Sequence, residues 1–352
     1  MNLIGKKLSI KIKQVSFFLS FFVLVQHSVN APGLSYDNYS TLPFNMTAAI
    51  QYFVGLQVVT ITNPLFFLIS GYLFFANIDI KSIWSKWKKR FYSLVLPYLI
   101  ASIWASILAY ILFNVTGGDI FRIDPSYTRW TNLAEFINVT AKGSISYQLW
   151  FLRDLVIYIL LSPVLYYLLK HIPKITLLSL ALIWVLNLQV NFVSTDNIIF
   201  FPLGAYLALR KYRLSTKTNK SHLIITLTVW VAVMLLKLYL NFNPMGEPYI
   251  LVLLHRIALL FGMYSIWNLF NYIKYSPRIL SYTRFSFFVY LFHLPYIYAI
   301  EYLIDIFSRF LPGYYTINFI LTPVITFISL VVIGKYLSKF TPKFYGVISG
   351  NR

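Results

Sequence analysis

The chain has 352 residues and a mass of 41.1 kDa; 59% of its residues are hydrophobic and only 11% are charged. An ordinary soluble domain is about 45–50% apolar and about 25% charged, so this composition excludes a soluble globular protein, and its apolar content also excludes a disordered chain. The formal net charge of +20 is typical of the basic loops of a membrane protein, and we predict no nucleic-acid partner. The absence of cysteine excludes disulfides, thiolate metal ligands and cysteine nucleophiles.

Apolar segments long enough to cross a bilayer, about 20 residues each, recur along the whole sequence. We predict an all-α fold, a polytopic bundle of about ten transmembrane helices that forms a single membrane-embedded domain over residues 1–352, without a soluble domain. The predicted spans cover approximately 15–31, 49–76, 91–113, 148–169, 174–190, 197–209, 222–240, 250–272, 284–307 and 315–337. Pro64 predicts a kink in the second span. No convincing small-residue cleavage site follows the first span, so we expect a retained helix rather than a signal peptide.

The distribution of lysine and arginine over the loops predicts the orientation of these spans. The loops that we assign to the inner side are rich in basic residues, for example Lys6 and Lys7 before the first span and Lys86, Lys89 and Arg90 before the third. The alternate loops carry only a few, which are Arg122, Arg129, Lys142 and Arg309. Since basic loops face the cytoplasm, we predict that both termini are cytoplasmic.

Residues 77–90 join the second and third predicted spans and have the pattern of an amphipathic helix. Ile80, Ile83, Trp84 and Trp87 recur at positions i, i+3, i+4 and i+7, so they form one apolar stripe among lysines. Such a helix lies in the headgroup layer of a membrane. Two interpretations stay open: an anchor that only binds membrane lipids, or a docking site at which cationic side chains bind a phosphorylated cytosolic donor.

Ionisable side chains inside apolar spans are costly to bury and therefore mark candidate functional sites. The predicted spans place such candidates in the middle or outer half of the bundle: His27 with Asn30 one turn further on, Arg153 and Asp154, His255 and Arg256, His293, and Glu301. The structural alternatives are a hydrogen-bonded core histidine at position 27, a local Arg153–Asp154 pair, and side chains at 255, 256 and 301 that reach the outer interface. We expect Lys237 to reach that interface as well. Because the histidines are scattered, we predict no metal site.

Six short motifs follow one another along the chain. They are Val-Gln-His27, Asn63-Pro-Leu-Phe-Phe-Leu-Ile-Ser70-Gly71-Tyr-Leu, Lys89-Arg90-Phe-Tyr-Ser-Leu-Val-Leu-Pro97-Tyr, Leu149-Trp150-Phe-Leu-Arg153-Asp154, Phe201-Pro-Leu-Gly204-Ala-Tyr and Ser286-Phe-Phe-Val-Tyr-Leu-Phe-His293-Leu-Pro295. Each motif is weak by itself in an apolar sequence, but the ordered set extends over almost the whole chain. In order and spacing the set resembles the acyltransferase type 3 family of bacterial integral-membrane acyltransferases.

This resemblance implies transfer of an acyl group, most often acetyl, from cytosolic acyl-CoA to a hydroxyl of a cell-envelope or exported polysaccharide, at the bacterial inner (plasma) membrane. It implies that His27 is catalytic and that Lys89 and Arg90 bind the donor. No cofactor is expected, since acyl-CoA is a substrate; the other expected partners are a glycan or lipid-linked saccharide acceptor and membrane lipids. Many members have an arginine eleven residues before the histidine, where this chain has Ser16, with Lys11 nearby but out of register.

The residues themselves agree with this chemistry. A neutral imidazole is a suitable general base for a hydroxyl that attacks a thioester near neutral pH, or it accepts the acyl group itself; both mechanisms stay open for His27. We expect Arg153 or Arg256 to stabilise the oxyanion, and Glu301 or Asp154 to orient the imidazole. The further candidates are Asn30, Trp150, His255 and His293.

A second class of function also explains buried ionisable groups. A flippase for glycans or lipid-linked sugars, or an ion-coupled transporter, uses such groups as proton relays or substrate contacts. The sequence shows no internal repeat, which disfavours the transporter folds built from duplicated halves. We therefore keep transport as the alternative prediction.

Overall fold

The structure is a computed structural model, and it describes residues 4–32, 34, 45–76, 78, 82–116, 147–190, 192–214, 217–243, 248–273 and 276–351. All regular secondary structure in these ranges is helical, which confirms the predicted all-α class. Most of the two longest predicted outer loops, about 32–48 and 114–147, lies outside the described residues, and so does Ile80 of the predicted amphipathic stripe.

The α-helices are numbered along the chain. They are α1 (Lys6–His27), α2 (Met46–Gly55), α3 (Thr62–Phe75), α4 (Ile83–Arg90), α5 (Leu96–Thr116), α6 (Trp150–Leu160), α7 (Ser162–His171), α8 (Pro173–Val185), α9 (Phe200–Leu209), α10 (Lys220–Asn241), α11 (Pro248–Leu269), α12 (Pro277–Tyr282), α13 (Ser286–Phe292), α14 (Tyr296–Ser308), α15 (Tyr314–Phe340) and α16 (Pro342–Ile348). A 3-10 turn at Val58–Ile61 interrupts the second predicted span just before Pro64. A π-helical turn at Phe91–Val95 joins α4 to α5, so the basic segment is continuous with the third span.

Several helices are long and apolar enough to cross a membrane, as expected for a multi-pass membrane protein. Within the described residues there are six such runs, which are Lys6–His27, Met46–Phe75, Ile83–Leu112, Lys220–Asn241, Pro248–Leu269 and Tyr314–Phe340. The fourth predicted span is broken between α6 and α7, and the ninth is bent by 86° between the run Pro277–Phe292 and α14. If each of these pairs is one span, the number rises to eight. The fifth and sixth coincide with shorter apolar helices. The ten-span count and the orientation of the termini stay predictions.

The chain divides into two compact units. The first unit comprises Met1–Ile83 and Leu161–Thr283, and the second unit comprises Trp84–Leu160 and Arg284–Arg352. Each unit therefore combines an N-terminal with a more C-terminal part of the chain.

Two glycines allow the helices at the centre of the first unit to approach closely. A Cβ atom added to Gly71 of α3 would overlap the carbonyl oxygen of Phe201, and one added to Gly204 of α9 would overlap the carbonyl oxygen of Leu68. Small residues at such crossings are a general means of packing membrane helices. The glycines of two sequence motifs therefore have a packing role.

The C-terminal helix of the second unit packs on the π-helical turn. Gly350 has a φ of +66°, and a Cβ atom there would overlap the carbonyl oxygen of Ser93. Tyr345 of α16 packs against the rings of Phe285 and Phe288, at centroid distances of 6.0 and 5.7 Å. The turn that follows α16 thus lies directly against the irregular turn between α4 and α5.

Candidate functional site

The end of α1 carries the histidine that the sequence selects. α1 ends at His27, which is half-buried. The hydroxyl of Ser28 donates to the carbonyl oxygen of Leu24 at 2.8 Å, and its backbone N–H donates to that of Val25 at 3.2 Å. Because Ser28 caps the last carbonyls, the helix stops there. The prediction that Asn30 lies one turn further along the same helix is therefore wrong.

One buried amide fixes the segment that follows His27. The Oε1 atom of Gln51, on α2, accepts hydrogen bonds from the backbone N–H groups of Asn30 and Ala31, both at 2.9 Å. Its Nε2 atom donates to Oδ1 of Asn30 at 2.7 Å. Both ends of this fully buried amide are satisfied, as stability in an apolar interior requires. The sequence prediction missed Gln51 because it considered only ionisable side chains within the spans.

Arg256 of α11 is buried in the first unit and paired at its tip. Its Nη1 atom lies 2.6 Å from a carboxylate oxygen of Asp196, and Nη2 donates to Oδ1 of Asn187 at 3.1 Å. The guanidinium also lies over the ring of Trp184, 5.2 Å from its centroid. With only 3% of its surface exposed, Arg256 does not extend to the interface, which was the structural alternative.

Lys237 and His255 lie next to each other, and with Arg256 they form what we call the cationic cluster. The Nζ atom of Lys237 lies 3.5 Å from Nδ1 of His255 and 5.9 Å from the ring centroid of Tyr52. Lys237 is 7% exposed. The prediction that it reaches the interface is wrong, because its ammonium group turns inward to an imidazole and an aromatic face.

In the second unit, Arg153 and Asp154 of α6 pair with each other. The Nε and Nη2 atoms of Arg153 lie 2.9 and 2.8 Å from Oδ1 of Asp154. The carboxylate is 1% exposed, so it requires a cation beside it. The structural alternative, a local ion pair, is therefore confirmed, and a catalytic role for either residue stays a prediction.

His293 lies at the break between α13 and α14 and is fully buried. Its Nδ1 atom lies 2.7 Å from the carbonyl oxygen of Tyr290, and since a carbonyl only accepts, Nδ1 carries the proton. The hydroxyl of Tyr290 donates to the carbonyl oxygen of Gln148 at 2.7 Å. This hydrogen bond connects the helix break to the 3-10 turn Tyr147–Leu149, which precedes α6.

A groove of about 320 Å³ lies beside the π-helical turn. Its lining is mainly apolar and aromatic, and Lys88 and Arg90 are its cations. The indole N–H of Trp87 donates to the carbonyl oxygen of Ile159 at 2.8 Å, which holds α4 against α6. Lys89 is exposed and does not line the groove. π-helical turns are frequent at functional sites, and the sequence pattern gave no signal for this one.

The candidate residues are divided between the two units. The first unit holds His27, Asn30, His255 and Arg256, and the second holds Lys89, Arg90, Trp150, Arg153, Asp154, His293 and Glu301. Trp150 and Glu301 are half-buried. The catalytic roles of His27, Arg153 and Glu301 stay predictions. Among the described residues, no group of three or more His, Asp or Glu side chains could hold a metal ion.

Comparison with known proteins places the chain in a family. The family described as an acyltransferase domain (acyltransferase type 3) matches residues 16–334, a range that includes all six motifs. The succinoglycan biosynthesis protein ExoH of Rhizobium meliloti (strain 1021) is 24% identical over 320 residues, which cover 88% of this chain and 84% of that protein. No solved structure matches. The chain belongs to the acyltransferase type 3 family.

Proposed function

We propose that the protein is a membrane O-acyltransferase. It transfers an acyl group, acetyl in the simplest case, from cytosolic acyl-CoA to a hydroxyl of a cell-envelope or exported polysaccharide. Family membership supports the transferase class, and the similarity to a succinoglycan biosynthesis protein supports a polysaccharide acceptor. The observation that carries the role of His27 is its place: a half-buried imidazole at the end of α1, followed by a segment that Gln51 holds.

In the proposed step, the acceptor hydroxyl oxygen attacks the carbonyl carbon of the thioester while His27 takes the hydroxyl proton. The new C–O bond forms, the C–S bond breaks, and the thiolate of coenzyme A leaves and receives the proton. A positioned general base contributes about 10²–10⁴-fold to such a step. In the covalent alternative, the imidazole first takes the acyl group and then passes it to the hydroxyl. Incubation with acyl-labelled donor in the absence of acceptor distinguishes the two mechanisms, because only the covalent one leaves the label on the protein.

The groove beside the π-helical turn is the proposed place for part of the donor. Coenzyme A carries phosphate groups and an adenine ring, so its recognition requires cations next to an apolar, aromatic surface. Lys88 and Arg90 supply the cations, and the indoles of Trp84 and Trp87 supply the surface. We therefore include Lys88 in the proposed donor site, whereas Lys89 attracts the donor from outside the groove.

The test compares the acyl content of the surface glycans, measured by mass spectrometry of the purified saccharide. A deletion strain is complemented with wild type, with His27→Ala or with His222→Ala, an exposed histidine that serves as the matched control. We expect the ester signal to return with wild type and His222→Ala but not with His27→Ala at equal protein abundance. Wild-type acylation with His27→Ala would refute the proposed role of His27.

The broken spans keep transport as the second candidate function. Discontinuous membrane helices form the substrate sites of many transporters, and two predicted spans of this chain are discontinuous. The same experiment separates the two functions. A deletion strain that makes the glycan without its ester supports the acyltransferase, and a strain without surface glycan supports the flippase.

A further inference from the structure

The cationic cluster carries more positive charge than its neighbours balance. Lys237 and Arg256 are both buried, and within the described part of the chain Asp196 is the one carboxylate that contacts either of them. His255 adds no charge, because the ammonium of Lys237 only donates and Nδ1 of His255 must therefore accept. Since buried charges are stable when they are paired, the cluster fits one further anionic group.

The two polar residues that contact the guanidinium of Arg256 lie at the surface of the first unit. Asp196 and Asn187, which contact the guanidinium of Arg256, are themselves exposed, and the side chain of Asp196 is 60% exposed. The Nε atom of Arg256 makes no hydrogen bond to any described residue. A polar ligand that approaches beside Asp196 can therefore accept a hydrogen bond from the Nε atom of Arg256.

Helix α2 connects the cluster to the end of α1. The ring of Tyr52 lies beside Lys237, and the adjacent residue Gln51 binds Asn30. One turn of α2 thus contacts both the cluster and the segment that follows His27. A group bound by the cluster would lie at the end of the first unit that carries the proposed catalytic base.

We propose that Arg256 and Lys237 bind a singly charged oxyanion, a carboxylate or a phosphodiester, on the acceptor glycan. This inference rests on the proposed acyltransferase function and adds a preference for acidic acceptors. One such group neutralises the excess charge of the cluster, and a guanidinium and an ammonium both donate charge-assisted hydrogen bonds to anionic oxygens. Arg256 and Lys237 thereby hold the acceptor while His27 acts on its hydroxyl.

The test measures ligand binding to the full-length protein in a nonionic detergent. The thermal unfolding midpoint, followed by tryptophan fluorescence, is titrated with glucuronate and with glucose, which differ only at C6. Ionic strength is kept constant with sodium chloride, because salt screens exposed charges. We expect saturable stabilisation by glucuronate and none by glucose. Dimethyl phosphate is titrated in the same way as a model phosphodiester. The anion that binds with the higher affinity shows whether the site takes a carboxylate or a phosphodiester.

Substitutions then connect this binding to the cluster. Arg256→Gln and Lys237→Met should each weaken the anion affinity at least about tenfold, the effect of losing one charge-assisted hydrogen bond. Asp196→Asn should strengthen the affinity, because it removes a negative charge and so raises the net positive charge of the cluster. The matched control is Arg309→Gln at an exposed arginine of the second unit, and it should bind as wild type does.

Several results would overturn the inference. They are equal stabilisation by glucose and both anions, wild-type affinity in Arg256→Gln and Lys237→Met, or weaker binding in Asp196→Asn. If Arg256→Gln does not fold, Lys237→Met and Asp196→Asn decide. A His27→Ala protein that binds the anion and does not transfer acyl groups supports both proposals; if it transfers them normally, only the proposed role of His27 fails. If the wild-type protein binds the anion but transfers no acyl group, the proposed acyltransferase function fails and anion binding by the cluster stands.

Discussion

The two histidines of the sequence motifs are held in different ways, one in each unit. His27 is half-buried at the end of α1, and Gln51 fixes the segment beyond it. His293 is fully buried at a helix break, where its Nδ1 atom donates to the carbonyl oxygen of Tyr290. A general base must come within hydrogen-bond reach of its substrate, whereas a buried imidazole bonded inside its own helix break stabilises that break. This difference favours catalysis at His27 and a structural role for His293.

The largest expected effect comes from the same substitution at both histidines. His27→Asn should lower the rate of acyl transfer by about 10²–10⁴-fold, because asparagine cannot act as a general base. His293→Asn should lower it by less than about tenfold, because the asparagine amide can donate to the Tyr290 carbonyl as Nδ1 does. The measurement is thiol release from acetyl-CoA in the presence of glycan acceptor, per amount of folded protein.

A control on folding makes this comparison interpretable. The unfolding midpoint of each variant is measured in the same detergent, and the His27→Asn protein should unfold close to wild type, since the imidazole is only half-buried. Equal losses of rate in both variants, with both folded, would break the assignment and place His293 in the catalytic machinery.

The next largest effect concerns the buried ion pair of the second unit. Asp154→Asn should lower the free energy of unfolding by about 3 kcal/mol, because it removes the carboxylate that neutralises Arg153. The double variant Arg153→Met with Asp154→Leu should regain most of this stability, since an apolar pair has no charge to bury. Denaturant titration of the detergent-solubilised proteins measures both values.

The activity of that double variant sharpens the comparison between the units. If Arg153 is structural, the stable double variant retains acyl transfer, and the chemistry depends on the first unit. A folded double variant without acyl transfer would instead support the predicted oxyanion role of Arg153.

Much of the fold follows from the sequence, and the parts that do not are instructive. Long apolar runs predict membrane helices because a buried backbone must form its own hydrogen bonds. The breaks in the fourth and ninth spans were not predicted, although Pro163 and Pro295 lie next to them. A proline restrains the residue before it and removes a backbone donor, and a hydropathy average does not include that local signal.

The candidate site was predictable only in part. Apolar surroundings marked His27, Arg256 and His293, because an ionisable residue within a span is rare. The roles of Gln51 and Lys237 depend on contacts between separate elements, from α2 to the segment after α1 and from α10 to α11. No periodicity within one helix reports such contacts, so sequence reasoning overlooked the first residue and misplaced the second.

Two buried glutamines, one in each unit, provide the third test. Gln51→Ala should lower the free energy of unfolding by about 2 kcal/mol or more, because it leaves the buried N–H groups of Asn30 and Ala31 without an acceptor. Gln148→Ala should cost less, since the Gln148 side chain makes no hydrogen bond within the described chain. Gln51→Ala should also lower acyl transfer at equal amounts of folded protein, and an unchanged rate would remove Gln51 as a positioning residue.

The smallest expected effect isolates the support of His293. Tyr290→Phe removes the hydroxyl that donates to the carbonyl oxygen of Gln148, and loss of one buried hydrogen bond should lower the free energy of unfolding by about 1 kcal/mol. Because that bond connects the helix break to the turn before α6, and neither Tyr290 nor Gln148 lines the groove proposed for the donor, kcat and KM should stay at wild-type values. A changed KM for acetyl-CoA with little change in stability would mean that the break takes part in donor binding, and the purely structural role assigned to His293 and its break would then be wrong.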